Sequence, residues 1–321
     1  MITSPTDKAV VQPGQPTLPE SPFNRERRLS RSLPEGFAKW FCLVCALLSI
    51  ITTIGIVYVL LSQSLPFFGQ VNVVEFFTGR VWRPTPEPGT YGVLPLVTGT
   101  LMITFGAGLF ALPLGLLSAI YLAEYAGPKV RAVLKPALEL LAGIPTVVYG
   151  YFGLFVVTPA LKNIFPAIQS SNALAGAIVV GVMILPLVSS LCEDAISSVP
   201  KALREGAQGL GATKAETISK IVVPAAFSGV VASFILALSR ALGETMAVTL
   251  AAGSNPVISL DPTKGIQTMT AYMVSTSKGD LVYGSMKHYS IFAVGLLLFA
   301  FTMIMNIIAR RLVSKFKLNY Q

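Results

Sequence analysis

The chain has 321 residues, 53% of them apolar and only 12% charged, with a mean hydropathy of +0.68. A soluble domain carries roughly twice that charged fraction, so the composition excludes an ordinary soluble enzyme and a free nucleic-acid-binding domain and points to the membrane. The charge of +9 comes from 24 Lys and Arg against 15 Asp and Glu, and three cysteines are too few for a disulfide framework.

Residues 1–36 hold Pro5, Pro13, Pro16, Pro19, Pro22 and Pro34 with little apolar content, which predicts a disordered tail. No short apolar stretch precedes the first long one, so no cleaved signal peptide is expected. Arg25, Arg27, Arg28 and Arg31 lie just ahead of that run and read first as topology anchors near anionic headgroups, with a regulatory role as the second reading.

About 20 apolar residues cross a bilayer as helix, because lipid leaves backbone polar groups no partners but each other. Six such runs are predicted: Trp40–Phe68, Thr90–Ala123, Leu140–Leu161, Asn163–Cys192 with its apolar core from Ala173, Ile221–Leu260, and His288–Ala309. Cys42 and Cys45 sit inside the first run and read as apolar packing. Between the first two runs, Phe76, Phe77 and Trp82 read most simply as interfacial anchors, although docking of an external partner fits them as well. Gly143, Pro145 and Gly150 interrupt the third run, where such residues permit bends or close helix approach. Tyr149 and Tyr151 fit packing or a cavity wall, and Glu139 lies ahead of this run without an assigned role.

Orientation follows from Lys and Arg. With the N-terminus inside, the inner segments hold seventeen of them and the outer segments six, with Arg240 alone inside a span. Both termini are therefore expected in the cytoplasm. The expected layout is a tail over 1–36, a six-helix domain over 37–315 and a short tail over 316–321.

The inner loop over 197–220 is the most informative polar segment. Pro200 suits a first helical turn, Gly209 and Gly211 suit a chain reversal, and Thr213 with Glu216 forms a capping box. Ile218, Ile221 and Val222 then give an apolar stripe before Pro224. This predicts two short helices under the membrane, either resting on headgroups or docking into a groove of a soluble partner.

No Gly-x-x-x-x-Gly-Lys-Ser/Thr stretch is present, so ATP binding by a P-loop is not expected. His288 is the only histidine, which leaves neither a histidine metal cluster nor a nucleophile–histidine–acid set. No catalytic residue, metal or cofactor is expected in this chain.

The order Glu205-Gly206-Ala207, Gly211, then Ile221-x-x-Pro224 resembles the Glu-Ala-Ala loop of ABC importer permeases. Gly206 stands where that family has its first Ala, at a helix cost of up to about 1 kcal/mol, and Val223 stands where it has Leu. The resemblance implies an all-α, type I ABC importer permease fold. It also implies that Leu203, Glu205, Gly206, Ala207, Gly211 and Ala212 couple to a separate ATPase. The stretches Leu141–Gly150 and Ser239–Val248 resemble the permeases of phosphate importers, the second stretch the PstC type in particular, over roughly residues 37–312. That likeness implies a heterodimer with a sister, PstA-like permease, a PstB-like ATPase dimer carrying ATP and magnesium, and an external PstS-like phosphate-binding protein. It also implies a bacterial inner-membrane location, phosphate as substrate and no role for nucleic acid.

Arg240 lies deep within the fifth run, several helical turns from its inner end. A charge there is tolerated only where it faces protein or a water-filled path. Glu244 follows at helical spacing, so the two are expected on one helix face. They read either as a packing ion pair or, with Thr245, as a cationic point on an anion pathway that Glu244 moderates. A permease for another oxyanion such as molybdate or sulfate fits these residues too. So does a proton- or sodium-coupled transporter working through Glu244, and a structural assembly factor is a third class.

Overall fold

The structure, a computed structural model, describes residues 22–85, 88–279 and 281–316. The chain divides into two compact units, Met1–Tyr58 and Val59–Gln321. The described part of the first is the N-terminal stretch of α1 (Pro22–Phe68). Trp40, Phe41, Leu48, Ile51 and Ile54 are all exposed on it. A helix apolar on every side suits lipid rather than water. Of the disordered tail expected over 1–36, residues 1–21 lie outside the described residues, and from Pro22 onward the backbone is helical.

In the second unit, α2 (Val73–Thr78) is capped by Asn72, whose side chain accepts the Val74 N–H at 2.8 Å. Strands β1 (Trp82–Arg83) and β2 (Thr90–Tyr91) pair antiparallel, with Trp82 opposite Tyr91. Phe67, Phe76, Trp82, Tyr91 and Tyr272 close into an edge-to-face cluster, with Phe67–Tyr91 centroids 5.2 Å and Trp82–Tyr272 centroids 4.9 Å apart. Phe76 and Trp82 are thus core residues rather than interfacial anchors, while Phe77 stays half exposed. Ring edges meeting ring faces make this packing favourable beyond its area.

Helix α3 (Leu94–Ile120) continues through a π turn over Tyr121–Tyr125. Then α4 (Pro128–Ala142) turns by 90° into α5 (Thr146–Phe152), a π turn over Gly153–Val157 and α6 (Thr158–Lys162). The third predicted run is therefore not one straight helix. Pro145 has no N–H to give and sits at ψ 136°, so the helix stops at Ala142. Tyr149 pins the corner by donating its hydroxyl to the Leu141 carbonyl at 2.7 Å, whereas Tyr151 is exposed and stacks on Phe155.

Helix α7 (Ala173–Ser197) begins where the apolar core of the fourth run begins, and Asn172 caps it by accepting the Ala175 N–H at 2.7 Å. It packs along α3 in the main core with Ile103, Ala107, Val180 and Ile184 fully enclosed. Beyond it come α8 (Lys201–Gly209), α9 (Lys214–Thr217), a π turn over Ile218–Val222, α10 (Val223–Ala225) and α11 (Phe227–Leu242), with a 68° bend before α11.

The fifth predicted run is also broken. Helix α11 stops at Leu242, Gly243–Thr245 form a break, and α12 (Met246–Ala251) follows. Residues 252–268 are non-helical but tied in: Ala173 N–H donates to the Lys264 carbonyl at 2.9 Å, and Ile266 N–H to that of Ala252 at 3.0 Å. Helix α13 (Met269–Lys278) and α14 (Met286–Phe316) complete the chain. Gly99 of α3 lies so close to this segment that a Cβ would stand 2.4 Å from the Gln267 carbonyl oxygen. Among the described residues, four helices are long and apolar enough to span a membrane, and six spans result if each bent pair is one.

Candidate functional site

The α8–α9 hairpin has the form its residues predict. Thr213 accepts the Glu216 N–H at 3.3 Å and Glu216 accepts the Thr213 N–H at 3.0 Å, so each side chain satisfies an N–H that has no helical partner. Gly211 makes the reversal at φ +87°, a conformation open to glycine at little cost. Ala212 N–H closes the turn on the Ala207 carbonyl at 3.1 Å. Ala207 is buried and Leu203 half-buried against the main core, while Glu205, Gly206 and Gly211 face outward. At the tip Leu210 is 92% exposed, an apolar knob that the other described residues leave uncovered.

Arg204 fixes this hairpin to the body, a role invisible to its local sequence. Its Nε donates to Glu124 at 2.9 Å, and its two terminal nitrogens donate to the Val199 and Ile196 carbonyls, the latter at 2.8 Å. The guanidinium fork thus joins the π turn after α3, the end of α7 and the start of the hairpin. Lys214 lies over the Tyr125 ring at 4.8 Å from the centroid, a second tie to the same turn.

Arg240, Glu244 and Thr245 do not form one group. The helix ends between Arg240 and Glu244, so the four-residue spacing no longer puts them on one face. Among the described residues the two make no ion pair. Glu244 is nearly buried, and its carboxylate instead accepts the Ala247 N–H at 3.2 Å, capping α12. Its carbonyl accepts the Thr270 hydroxyl at 2.7 Å. Thr245 donates to the Gly243 carbonyl at 3.1 Å across the break.

Arg240 opens instead onto a cavity of about 220 Å³ between α4, α7 and α11, whose walls include Lys135, Glu139, Ser190, Glu193 and the apolar Met183 and Leu187. Glu193 is 1% exposed and fully compensated: Lys135 donates to it at 2.7 Å, Ser197 at 3.1 Å, and Arg131 pairs with it as well. Lys135 also approaches Asp194 at 3.4 Å. A buried carboxylate persists only with such partners. The sequence carried one signal for this cluster: Glu193 and Asp194 end an apolar run, and Arg131 and Lys135 flank another.

Residues 111–318 match the family described as "Binding-protein-dependent transport system inner membrane component". The chain is 37% identical over 292 residues to the Bacillus subtilis (strain 168) protein named "Probable ABC transporter permease protein YqgH", covering 90% of this chain and 94% of that one. It is 35% identical over 275 residues to "Phosphate transport system permease protein PstC" of Mesorhizobium japonicum, covering 79% and 81% respectively. Among solved structures, a chain of a bacterial alginate ABC transporter superposes with a TM-score of 0.60 at 15% identity, covering 88% of this chain and 96% of that one. A chain of the MetNI methionine ABC transporter, solved facing inward, gives 0.56 at 18% identity, covering 73% and 100%. These last two likenesses speak for the fold alone.

Proposed function

Because the chain belongs to the family of binding-protein-dependent transport system inner membrane components, we propose that it is the membrane permease of an ATP-driven phosphate importer. The chain itself makes and breaks no bonds. It supplies part of the translocation route and takes its energy through the α8–α9 hairpin from a separate ATPase, which holds ATP and magnesium. Its complement is a sister permease of PstA type, an ATPase dimer of PstB type and an external phosphate-binding protein of PstS type. The location is the bacterial inner membrane, with both termini and the hairpin on the cytoplasmic side, in keeping with the seventeen-to-six distribution of Lys and Arg.

The observation that carries this reading is the hairpin. It is capped, and Arg204 ties it to two other elements. Its exposed tip ends in Leu210, which no other described residue covers. A floppy linker does not transmit displacement; this element can, provided a partner groove seats its tip. Relatives named as phosphate permeases support phosphate as the cargo. Arg240 lines a cavity and makes no ion pair among the described residues, which leaves its fork of donors open to an oxyanion.

The test is uptake of radiolabelled phosphate by the full transporter carrying Arg240→Gln, together with co-purification of its subunits. Reduced uptake with an intact complex is expected. Normal uptake removes Arg240 from the route, and loss of the complex makes it a packing residue.

A further inference from the structure

We propose that the cavity between α4, α7 and α11 is an oxyanion site in which Lys135 is a second, movable cation acting with Arg240. The inference deepens the phosphate-permease reading and rests on it for the cargo. It assigns Lys135 a role that neither sequence motif contains.

The argument starts from redundancy around Glu193. Its carboxylate receives Arg131, Lys135 and Ser197 at once. Removing one of these leaves it still paired and hydrogen-bonded, so Lys135 can leave without stranding a buried charge. Lys135 is the member suited to leave. Its ammonium is a point charge on a flexible stem, its side chain is 33% exposed, and it already divides itself between Glu193 and Asp194.

The second part is placement. Lys135 and Arg240 line the same cavity from different helices, with Ser190 as a further hydroxyl and Glu139 as a like-charge brake on any bound anion. An oxyanion entering beside Arg240 offers Lys135 an acceptor equivalent to the one it leaves, so capture exchanges one ion pair for another. A transport site needs this near balance, because a ligand held too tightly does not leave. The last turn of α7 carries both Glu193 and Ser197, and Arg204 of the hairpin grips the Ile196 carbonyl in that same turn. Displacement of the hairpin therefore reaches the carboxylate that competes for Lys135.

The test uses the assembled transporter with Cys42 and Cys45 changed to Ser and the cavity reporter Ala142→Cys, at a lining position with no polar group to lose. A thiol reagent reads access to the cavity with and without inorganic phosphate, at ionic strength matched with chloride. Phosphate is expected to slow labelling at least about threefold, and Lys135→Gln to abolish that protection by removing one charge-assisted contact to the bound anion. In uptake, Lys135→Gln is expected to fall about tenfold at wild-type abundance and Lys135→Arg to recover most of it. Labelling that phosphate leaves unchanged in the Lys135 background overturns the site, even if Lys135→Gln fails to assemble. Full protection in Lys135→Gln overturns the role of Lys135. Phosphate protection in a transporter that takes up no phosphate keeps the site and rejects the cargo reading instead.

Discussion

Replacing Arg204 by Ala removes the fork that holds the hairpin. Three hydrogen bonds are lost: to Glu124, and to the Ile196 and Val199 carbonyls. Bonds to charged groups contribute about 1.5–3 kcal/mol each, and breaking a buried ion pair costs about 3–5 kcal/mol. The side chains of Arg204 and Glu124 are 18% and 11% exposed, so water recovers part of that cost. The three bonds share one guanidinium and do not add. A loss of about 2–3 kcal/mol in the seating of α8 remains, which raises its undocked population roughly 30- to 160-fold. Amide hydrogen exchange on the bilayer-embedded protein reads this directly. Amides over 205–212 should exchange faster by about that factor, while those of α3 and α7 stay protected. Arg204→Lys should recover only part, because a point charge cannot span three acceptors. Unchanged exchange over 205–212 refutes the anchoring. An equal rise across α3 and α7 refutes its locality.

Two other changes test separate parts of the structure. Gly99→Val forces a side chain to within 2.4 Å of the Gln267 carbonyl oxygen; a loss of about 1–3 kcal/mol or more is expected, read as a lower thermal midpoint, and an unchanged midpoint contradicts the close approach. Asp261 accepts the Thr263 hydroxyl at 2.6 Å and its N–H at 3.0 Å, which, with Lys264 nearby, holds its carboxyl below the usual range. Since its folded-state value is depressed, its contribution is complete above about pH 4 and is lost as pH falls through that lower value. The gap in thermal midpoint between wild type and Asp261→Asn should accordingly shrink on acidification, and a gap that widens at low pH reverses the assigned sign.

Local chemistry made the hairpin legible. Thr213, Glu216 and Gly211 act within a few residues of themselves, so their sequence spacing is their geometry. The apolar runs were legible for the same reason: lipid solubility needs no knowledge of partners. The breaks were half legible. Gly143 and Pro145 marked an interruption, but its 90° angle depends on packing such as Tyr149 on Leu141. Reading Arg240 and Glu244 as one face assumed a helix that in fact ends at Leu242, where Glu244 serves as a cap to the next. The Lys135–Glu193 and Arg204–Glu124 contacts join residues 58 and 80 apart, and no spacing rule reaches that far. Phe76 and Trp82 read as surface anchors because the fold, not a spacing rule, brings Phe67 and Tyr91 back onto them and adds Tyr272 from a distant segment.

Site-directed cross-linking from the hairpin tip, in the intact membrane complex, tests the coupling role most directly. Leu210 is the place for the reporter, since it is 92% exposed and, unlike Gly211, needs no positive φ. A short cross-linker on Leu210→Cys should capture a nucleotide-hydrolysing subunit in one defined adduct, and the yield should change when ATP is bound. Capture of lipid or of nothing, in a complex that still imports phosphate, contradicts the claim that this hairpin receives the motor's stroke.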